Sequence, residues 1–236
     1  MLSSRFRRLG SLLRECVSGF RGGTSVVNVQ AIVTMPAATF ESHVYRRVEK
    51  EILSWKSISL KSAYAISFFC DFGDTEQPLL KVSFNTDEQV AKAMEGKVKT
   101  FSLLGRKPQP PKEDEAKWNY AFWTQTTKVT VGDPTSDGTG FRLCEAWRKE
   151  RDLRFGSNVS DDKLVENETK LKREFMNLCA RVAKKLHDEG IINKNFGRNV
   201  PVIIHELEYY DLIAECTKRA NPGGIADEFT VWVENQ

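Results

Sequence analysis

Residues Ser160–Gly190 read SDDKLVENETKLKREFMNLCARVAKKLHDEG and form the longest periodic stretch of the chain. Ser160 with two following acids is typical of a helix start, and Gly190 is typical of a helix end. The charged positions mix acids with bases, which is typical of a solvated face and not of a nucleic-acid groove. The stretch therefore predicts an amphipathic helix with one buried apolar stripe, formed by Leu164, Leu171, Phe175, Leu178, Val182 and Leu186.

Two further elements follow this helix. An apolar run at Val200–His205 predicts a short strand, and Glu208–Ala220 predicts a second helix that ends at Asn221-Pro222. Residues 160–222 thus predict a helix–strand–helix scaffold around which the rest of the chain is arranged.

The residues before this scaffold alternate between helix and strand patterns. Helical spacing from Phe40 to Trp55 predicts a helix that starts at Thr39 or Ala38. Tyr64–Cys70 and Leu79–Phe84 predict paired strands, separated by a turn at Asp71-Phe72-Gly73-Asp74. Thr86 with Gln89 fits a capping box that begins another short helix.

The middle of the chain is rich in proline and aromatic residues. Lys97–Ala116 predicts a loop that is Pro-rich near residues 105–116, and Lys117–Trp123 predicts an aromatic strand by alternation. Lys128–Val131 continues as strand, Gly132–Gly140 predicts a loop, and Phe141, Cys144 and Trp147 mark a helix. Strands cluster early and helices late, which favours an α+β fold: a mostly antiparallel sheet packed by the long helix and by shorter ones.

Residues 1–34 differ from everything after them. They are arginine-rich and serine-rich with one acid, Glu15, and large apolar residues recur every three or four positions. That pattern is typical of a mitochondrial presequence, while a disordered tail or a translation start at Met35 fits the residues too. The expected organisation is a flexible basic extension at 1–34 and one globular domain at 35–236. The protein would be mitochondrial in the first case and cytoplasmic otherwise.

Charge and cysteine usage narrow the functional classes. The formal net charge is +3, of which residues 1–40 carry +4, so the remaining residues carry −1 and no nucleic-acid partner is expected. The five cysteines show no metal-type spacing and predict buried free thiols. No apolar run reaches the length of about 18 residues that a membrane helix needs, and no cofactor motif is present.

Three segments resemble the bacterial domain-of-unknown-function 4303 family over residues of about 39 to 232. The first is Tyr64–Phe69 with Phe84–Glu88, and the second is Trp118-Asn119-Tyr120. The third joins Asp188–Gly190, Phe196-Gly197, Val200–Ile204 and Asn221-Pro222. The resemblance implies a domain of unknown activity, with a link to toxin–immunity systems. The N-terminal extension and the Pro-rich insert depart from the family pattern.

Three functional hypotheses remain open, and the residues favour a non-enzymatic binding domain. Trp118, Tyr120 and Trp123 are candidate contacts for a protein partner, because aromatic residues bury much area at low entropic cost. The alternative is a hydrolase or metal enzyme that uses His205, Glu206 and Asp211. The run HELEYYD at 205–211 lacks the second histidine of HExxH, so no metal site is predicted. A role as an accessory of a mitochondrial assembly rests on residues 1–34.

Overall fold

A computed structural model describes residues 38–55, 60–73, 77–97 and 110–236. The basic extension, Cys16 and residues 105–109 of the Pro-rich stretch lie outside the described residues. The described residues from 38 onward belong to one unit. The helices are α1 Phe40–Ser54, α2 Asp87–Met94, α3 Glu113–Trp118, α4 Gly138–Glu150, α5 Asp161–Asp188, α6 Ile191–Phe196, α7 Asp211–Ala220 and α8 Asp227–Glu234. The strands are β1 Ala63–Asp71, β2 Leu79–Thr86, β3 Val129–Val131 and β4 Val202–His205.

The sheet has the order β3-β2-β1-β4. β1 pairs with β2, and β2 with β3, in antiparallel fashion, whereas β4 runs parallel to β1. The α+β class is confirmed, and the sheet is mixed. The parallel pair is compatible with the connection, since the helices α2 to α6 lie between β1 and β4 in the chain, and parallel strands require a long crossover.

The long helix α5 supplies one wall of the core. Phe175, Leu178, Val182 and Leu186 are buried as the periodicity predicts, and each contributes about 1.5–3 kcal/mol by leaving water. The first turns depart from the prediction, because Leu164 is half-exposed and Asn167 is buried instead. The Asn167 amide donates to the Arg154 carbonyl oxygen at 2.6 Å, which ties the preceding loop to the helix.

The residues predicted to end elements do so. Gly190 and Gly197 both have φ of 70° at the two ends of α6, a left-handed conformation that favours glycine. Asn221, after α7, donates to the carbonyl oxygens of Val202 and Thr217 and accepts from the Val202 amide, each at 2.8 Å. One side chain thereby fixes the end of α7 against the start of β4.

The helix starts are only partly as expected. Thr39 and Ser42 form a reciprocal capping box at α1. At α2 the Thr86 hydroxyl accepts from the Gln89 amide at 3.4 Å, but the Gln89 side chain donates to the Phe122 carbonyl oxygen instead of reaching back. Ser160 lies at the N-terminus of α5 without a capping hydrogen bond from its side chain, so its two following acids complement the helix dipole alone.

The predicted aromatic strand at Lys117–Trp123 is wrong. Glu113–Trp118 is helix α3, and Tyr120–Phe122 is a short 3-10 helix. Three acids in the first turn favour helix there, and the Asn119 side chain accepts from the Ala121 amide to start the tighter turn. The predicted loop at Lys97–Ala116 therefore ends earlier, at Lys112. Helices α6 and α8 were not predicted.

The described cysteines are in the state that the sequence predicts. Cys70, Cys144, Cys179 and Cys216 are buried free thiols, which confirms the prediction for these four. No helix in the described part of the chain is both long and apolar enough to cross a membrane.

Candidate functional site at the carboxyl edge of the sheet

The parallel strands β1 and β4 end at the same edge of the sheet. Phe69 is in register with His205, so the residues that follow each strand emerge side by side. At this edge β1 ends at Asp71 and is followed by Phe72. Residues Glu206–Tyr210, here named the β4–α7 loop, follow β4. In open α/β sheets such carboxyl edges are where ligands usually bind, so this edge is the candidate functional site.

His205 lies in a closed aromatic box. Its Nε2 is 2.8 Å from the Ser67 Oγ, and its ring centroid is 5.4, 4.9 and 5.3 Å from those of Phe69, Tyr120 and Trp123. The histidine is 1% exposed and Ser67 is fully buried. The imidazole thus fills the space between the sheet and the 3-10 helix.

Burial decides the protonation state of His205. It lowers the pKa of the imidazole to about 3, and the neighbouring Glu206 backbone offsets this only in part. The Nδ1 atom makes no hydrogen bond of acceptable geometry with any described residue. A serine nucleophile needs a base that a third group orients and that substrate can reach. No third group among the described residues orients the His205 imidazole through Nδ1, and a substrate cannot reach the imidazole because it is buried.

Glu206 points away from the imidazole. Both of its carboxylate oxygens accept from the Lys172 Nζ at 3.2 Å, and the Tyr210 hydroxyl donates a short hydrogen bond to it. The pKa of Tyr210 is raised by burial and by this carboxylate, so the hydroxyl stays protonated as a donor. Lys172 also lies 5.4 Å over the Phe72 ring. Glu206 therefore joins the loop to α5 and to the end of β1.

Tyr209 fixes the other half of the loop. Its hydroxyl accepts from the Tyr120 amide at 2.7 Å and donates to the Trp118 carbonyl oxygen at 3.2 Å. Its ring packs edge-on against Trp232 of α8, with centroids 4.7 Å apart. The β4–α7 loop is thus held by α3, α5 and α8 at once.

The three candidate catalytic residues are not brought together. His205 is enclosed, Glu206 is paired with Lys172, and Asp211 is an exposed residue in the first turn of α7. Within the described residues no hydrogen bond joins Asp211 to either of the others. As arranged, these residues can hold a loop in place, and they do not form an acid–base pair on a common substrate.

The three candidate partner contacts are mostly internal. Trp118 is 3% exposed, and its Nε1–H donates to Glu228 at 3.2 Å, while Trp123 is 2% exposed and donates to the Lys117 carbonyl oxygen at 2.7 Å. Tyr120 is half-buried and stacks on Phe69 at 4.6 Å. These side chains support the β4–α7 loop from beneath and offer little surface to a partner.

The feature that sequence reasoning missed is Leu207. This side chain is 76% exposed at the middle of the β4–α7 loop, the highest exposure among the large apolar residues of the described chain. Its neighbours Glu206 and Glu208 give the only signal in the sequence, an apolar residue between two acids. The contacts that fix the loop come from residues far along the chain and leave no local pattern.

Within the described ranges no cluster of three or more histidine, cysteine or acidic side chains is placed to bind a metal ion. The resemblance to the domain-of-unknown-function 4303 family stays a prediction. Comparisons with family models, with curated proteins and with solved structures found no match for this chain.

Proposed function

We propose that this chain is a non-enzymatic binding domain that holds a protein partner through the β4–α7 loop. The observation that carries the proposal is the exposure of Leu207 on a loop that is anchored by Glu206, Tyr209 and Tyr210. Single exposed leucines are common on protein surfaces. A leucine on a preorganised loop loses little entropy on binding, which suits it to fill a pocket on a partner.

The charges around Leu207 suggest the kind of surface it would meet. Glu208 and Asp211 follow Leu207 in the chain and are exposed, and Lys172 is engaged with Glu206. A partner with an apolar pocket and a basic rim would complement this arrangement, and its positive charge would speed its association with the acidic loop. One protein covering another in this way is the immunity-protein-like role that the family resemblance implies.

The alternatives have less support. A hydrolase that uses His205, Glu206 and Asp211 would need an accessible imidazole, whereas the Ser67–His205 contact is enclosed by aromatic rings. An accessory role in a mitochondrial assembly depends on residues 1–34, which lie outside the described residues. The binding proposal is therefore the one that described side chains can support.

Leu207→Asp tests the proposal. An aspartate in the partner's apolar pocket costs desolvation energy, and we expect affinity to fall by at least about 30-fold, the equivalent of a hot-spot residue. The protein with an affinity tag is used to isolate partners from a lysate of its native host, followed by affinity measurement with each purified partner.

Val165→Asp is the matched control. Val165 is also exposed, at 63%, but lies on the N-terminal half of α5. We expect the control to retain the partners that Leu207→Asp loses. Equal recovery by both variants would place binding elsewhere, and failure of the unchanged protein to retain any partner would contradict the proposed function.

A further inference from the structure

Two buried thiols face each other between the sheet and the long helix. The Sγ of Cys70, in β1, lies 3.9 Å from the Sγ of Cys179, in α5. Both side chains are fully buried, and the two residues are 109 positions apart in the chain. Cys216 of α7 is close enough to interact electrostatically with both, so this part of the core is a thiol-rich layer.

The two sulfur atoms need to approach each other by only a short distance to form a disulfide. A disulfide has an S–S length of about 2.05 Å, so the sulfurs must approach each other by about 2 Å. Rotation of one or both thiols about the Cα–Cβ bond shortens the distance between the sulfurs, and a shift of β1 against α5 supplies the remaining approach. In the described part of the chain no other two cysteines are in hydrogen-bonding contact through their sulfur atoms.

We propose that Cys70 and Cys179 form a site of reversible oxidation that closes into a disulfide under hydrogen peroxide. One thiolate attacks the peroxide and becomes a sulfenic acid, and the O–O bond breaks with release of one water. The second thiolate then attacks that sulfur, the S–O bond breaks, and the oxygen leaves as a second water. Two thiols are oxidised by two electrons, and one peroxide is reduced to two waters.

The burial of the two thiols determines how fast they are oxidised and which oxidants can reach them. Burial and the adjacent thiol raise the pKa of Cys70, so the thiolate is scarce and oxidation is slow at neutral pH. Burial also favours a small oxidant over a bulky disulfide such as oxidised glutathione, which cannot reach either sulfur without opening the core. The site therefore responds to sustained exposure to peroxide and not to brief contact.

The bond would fasten together the two elements that hold the β4–α7 loop. β1 ends at Asp71, and α5 carries Lys172, whose Nζ donates to Glu206. A cross-link that closes a loop of this length restricts the unfolded chain strongly, which corresponds to an increase in Tm of about 5–15 °C. The inference is independent of the binding proposal, because it concerns the core and not the loop surface.

The test uses the full chain exposed to hydrogen peroxide at neutral pH. Free thiols are then blocked with N-ethylmaleimide, and the protein is analysed by intact mass and by non-reducing peptide mapping. We expect the oxidised chain, blocked after denaturation, to carry two fewer N-ethylmaleimide groups than the unoxidised chain, together with a linked peptide pair that contains Cys70 and Cys179, and a higher Tm. Dithiothreitol should reverse all three changes.

Three variants separate this pair from the other cysteines. Cys179→Ala should abolish the linked peptide, whereas Cys144→Ser and Cys216→Ser should retain it. A bond to Cys16, Cys144 or Cys216 in place of this pair would overturn the proposal. So would irreversible addition of oxygen at Cys70 or Cys179 without linkage, or persistence of both free thiols throughout. The mapping of the unchanged chain decides the matter even if a variant fails to fold.

Discussion

The buried imidazole of His205 makes the stability of the protein depend on pH. The pKa of His205 is about 3 in the folded chain, and an unfolded histidine titrates at about 6.5. Acid therefore protonates the unfolded chain first. The histidine's contribution to the free energy of unfolding is complete above pH of about 6.5 and is lost progressively as the pH falls towards 3.

His205→Gln tests this dependence. Glutamine can still bond to Ser67 but does not titrate. Between pH 7 and pH 4.5 we expect the unchanged protein to lose about 2–3 kcal/mol more unfolding free energy than the variant does. Urea titrations at both pH values measure the difference, and every other titrating group, including His187, cancels in the comparison. Identical losses would mean that the imidazole is accessible to protons in the folded protein.

At the level of single residues, the sequence predicted only part of the candidate site. It predicted that His205 ends a strand beside an acidic helix start, because that pattern is local. It did not predict the aromatic box, since Tyr120 and Trp123 are more than 80 positions away and were assigned to a strand. The exposure of Leu207 was missed for the same reason, because its loop is shaped by Lys172 and Trp118.

Among the elements, the junction of α1 with α4 depends on close approach at a glycine. The His43 Nε2 lies 2.9 Å from the Asp137 carboxylate, which also accepts from the amides of Gly132 and Gly140. A Cβ atom at Gly140 would lie 2.1 Å from the Asp137 Oδ2 and 2.9 Å from the His43 Nε2. The absence of a side chain at Gly140 thus lets Asp137 both start α4 and bind α1.

Gly140→Ala should break this junction. The carboxylate must move, which costs the capping hydrogen bond and the contact with His43, and we expect a loss of about 2–4 kcal/mol of unfolding free energy. Gly138→Ala is the matched control in the same turn, because the nearest atom to its Cβ would be 3.8 Å away, on Arg142.

The control should be neutral or more stable by up to about 1 kcal/mol, since alanine favours helix. Thermal or urea unfolding of both variants makes the comparison. A Gly140→Ala variant as stable as the control would show that Asp137 is not needed at this junction.

Elements with a strong hydrophobic periodicity of their own were predicted well from the sequence. Elements whose conformation depends on contacts with distant residues were not. The stripe of α5 and the end signals at Gly190 and Asn221 agree with the structure because they depend on neighbours within one turn or one hydrogen bond. The direction of β4 was not predicted, as a four-residue buried strand has no pattern that distinguishes parallel from antiparallel pairing. Lys117–Trp123 was misassigned because alternation in a short aromatic run also fits a helix end.

At the scale of the whole molecule, the core is continuous from the first described helix to the last. Phe40 of α1 stacks near Phe175 of α5 with centroids 6.3 Å apart, and Phe229 of α8 packs against Trp118 at 5.6 Å. Buried residues of all eight described helices and four strands belong to the described unit of the chain. The helices and the sheet are therefore expected to unfold together as one cooperative unit.

A chain that begins at Met35 tests whether that unit is self-sufficient. Its α1 would retain the Thr39 capping box and the buried face from Phe40 to Ile52. We expect its urea midpoint and m-value to match those of the full chain within error, because the m-value follows the surface exposed on unfolding. A lower midpoint with an unchanged m-value would assign stabilising contacts to residues 1–34. A reduced m-value would mean that the shortened chain no longer buries the core that its sequence predicts.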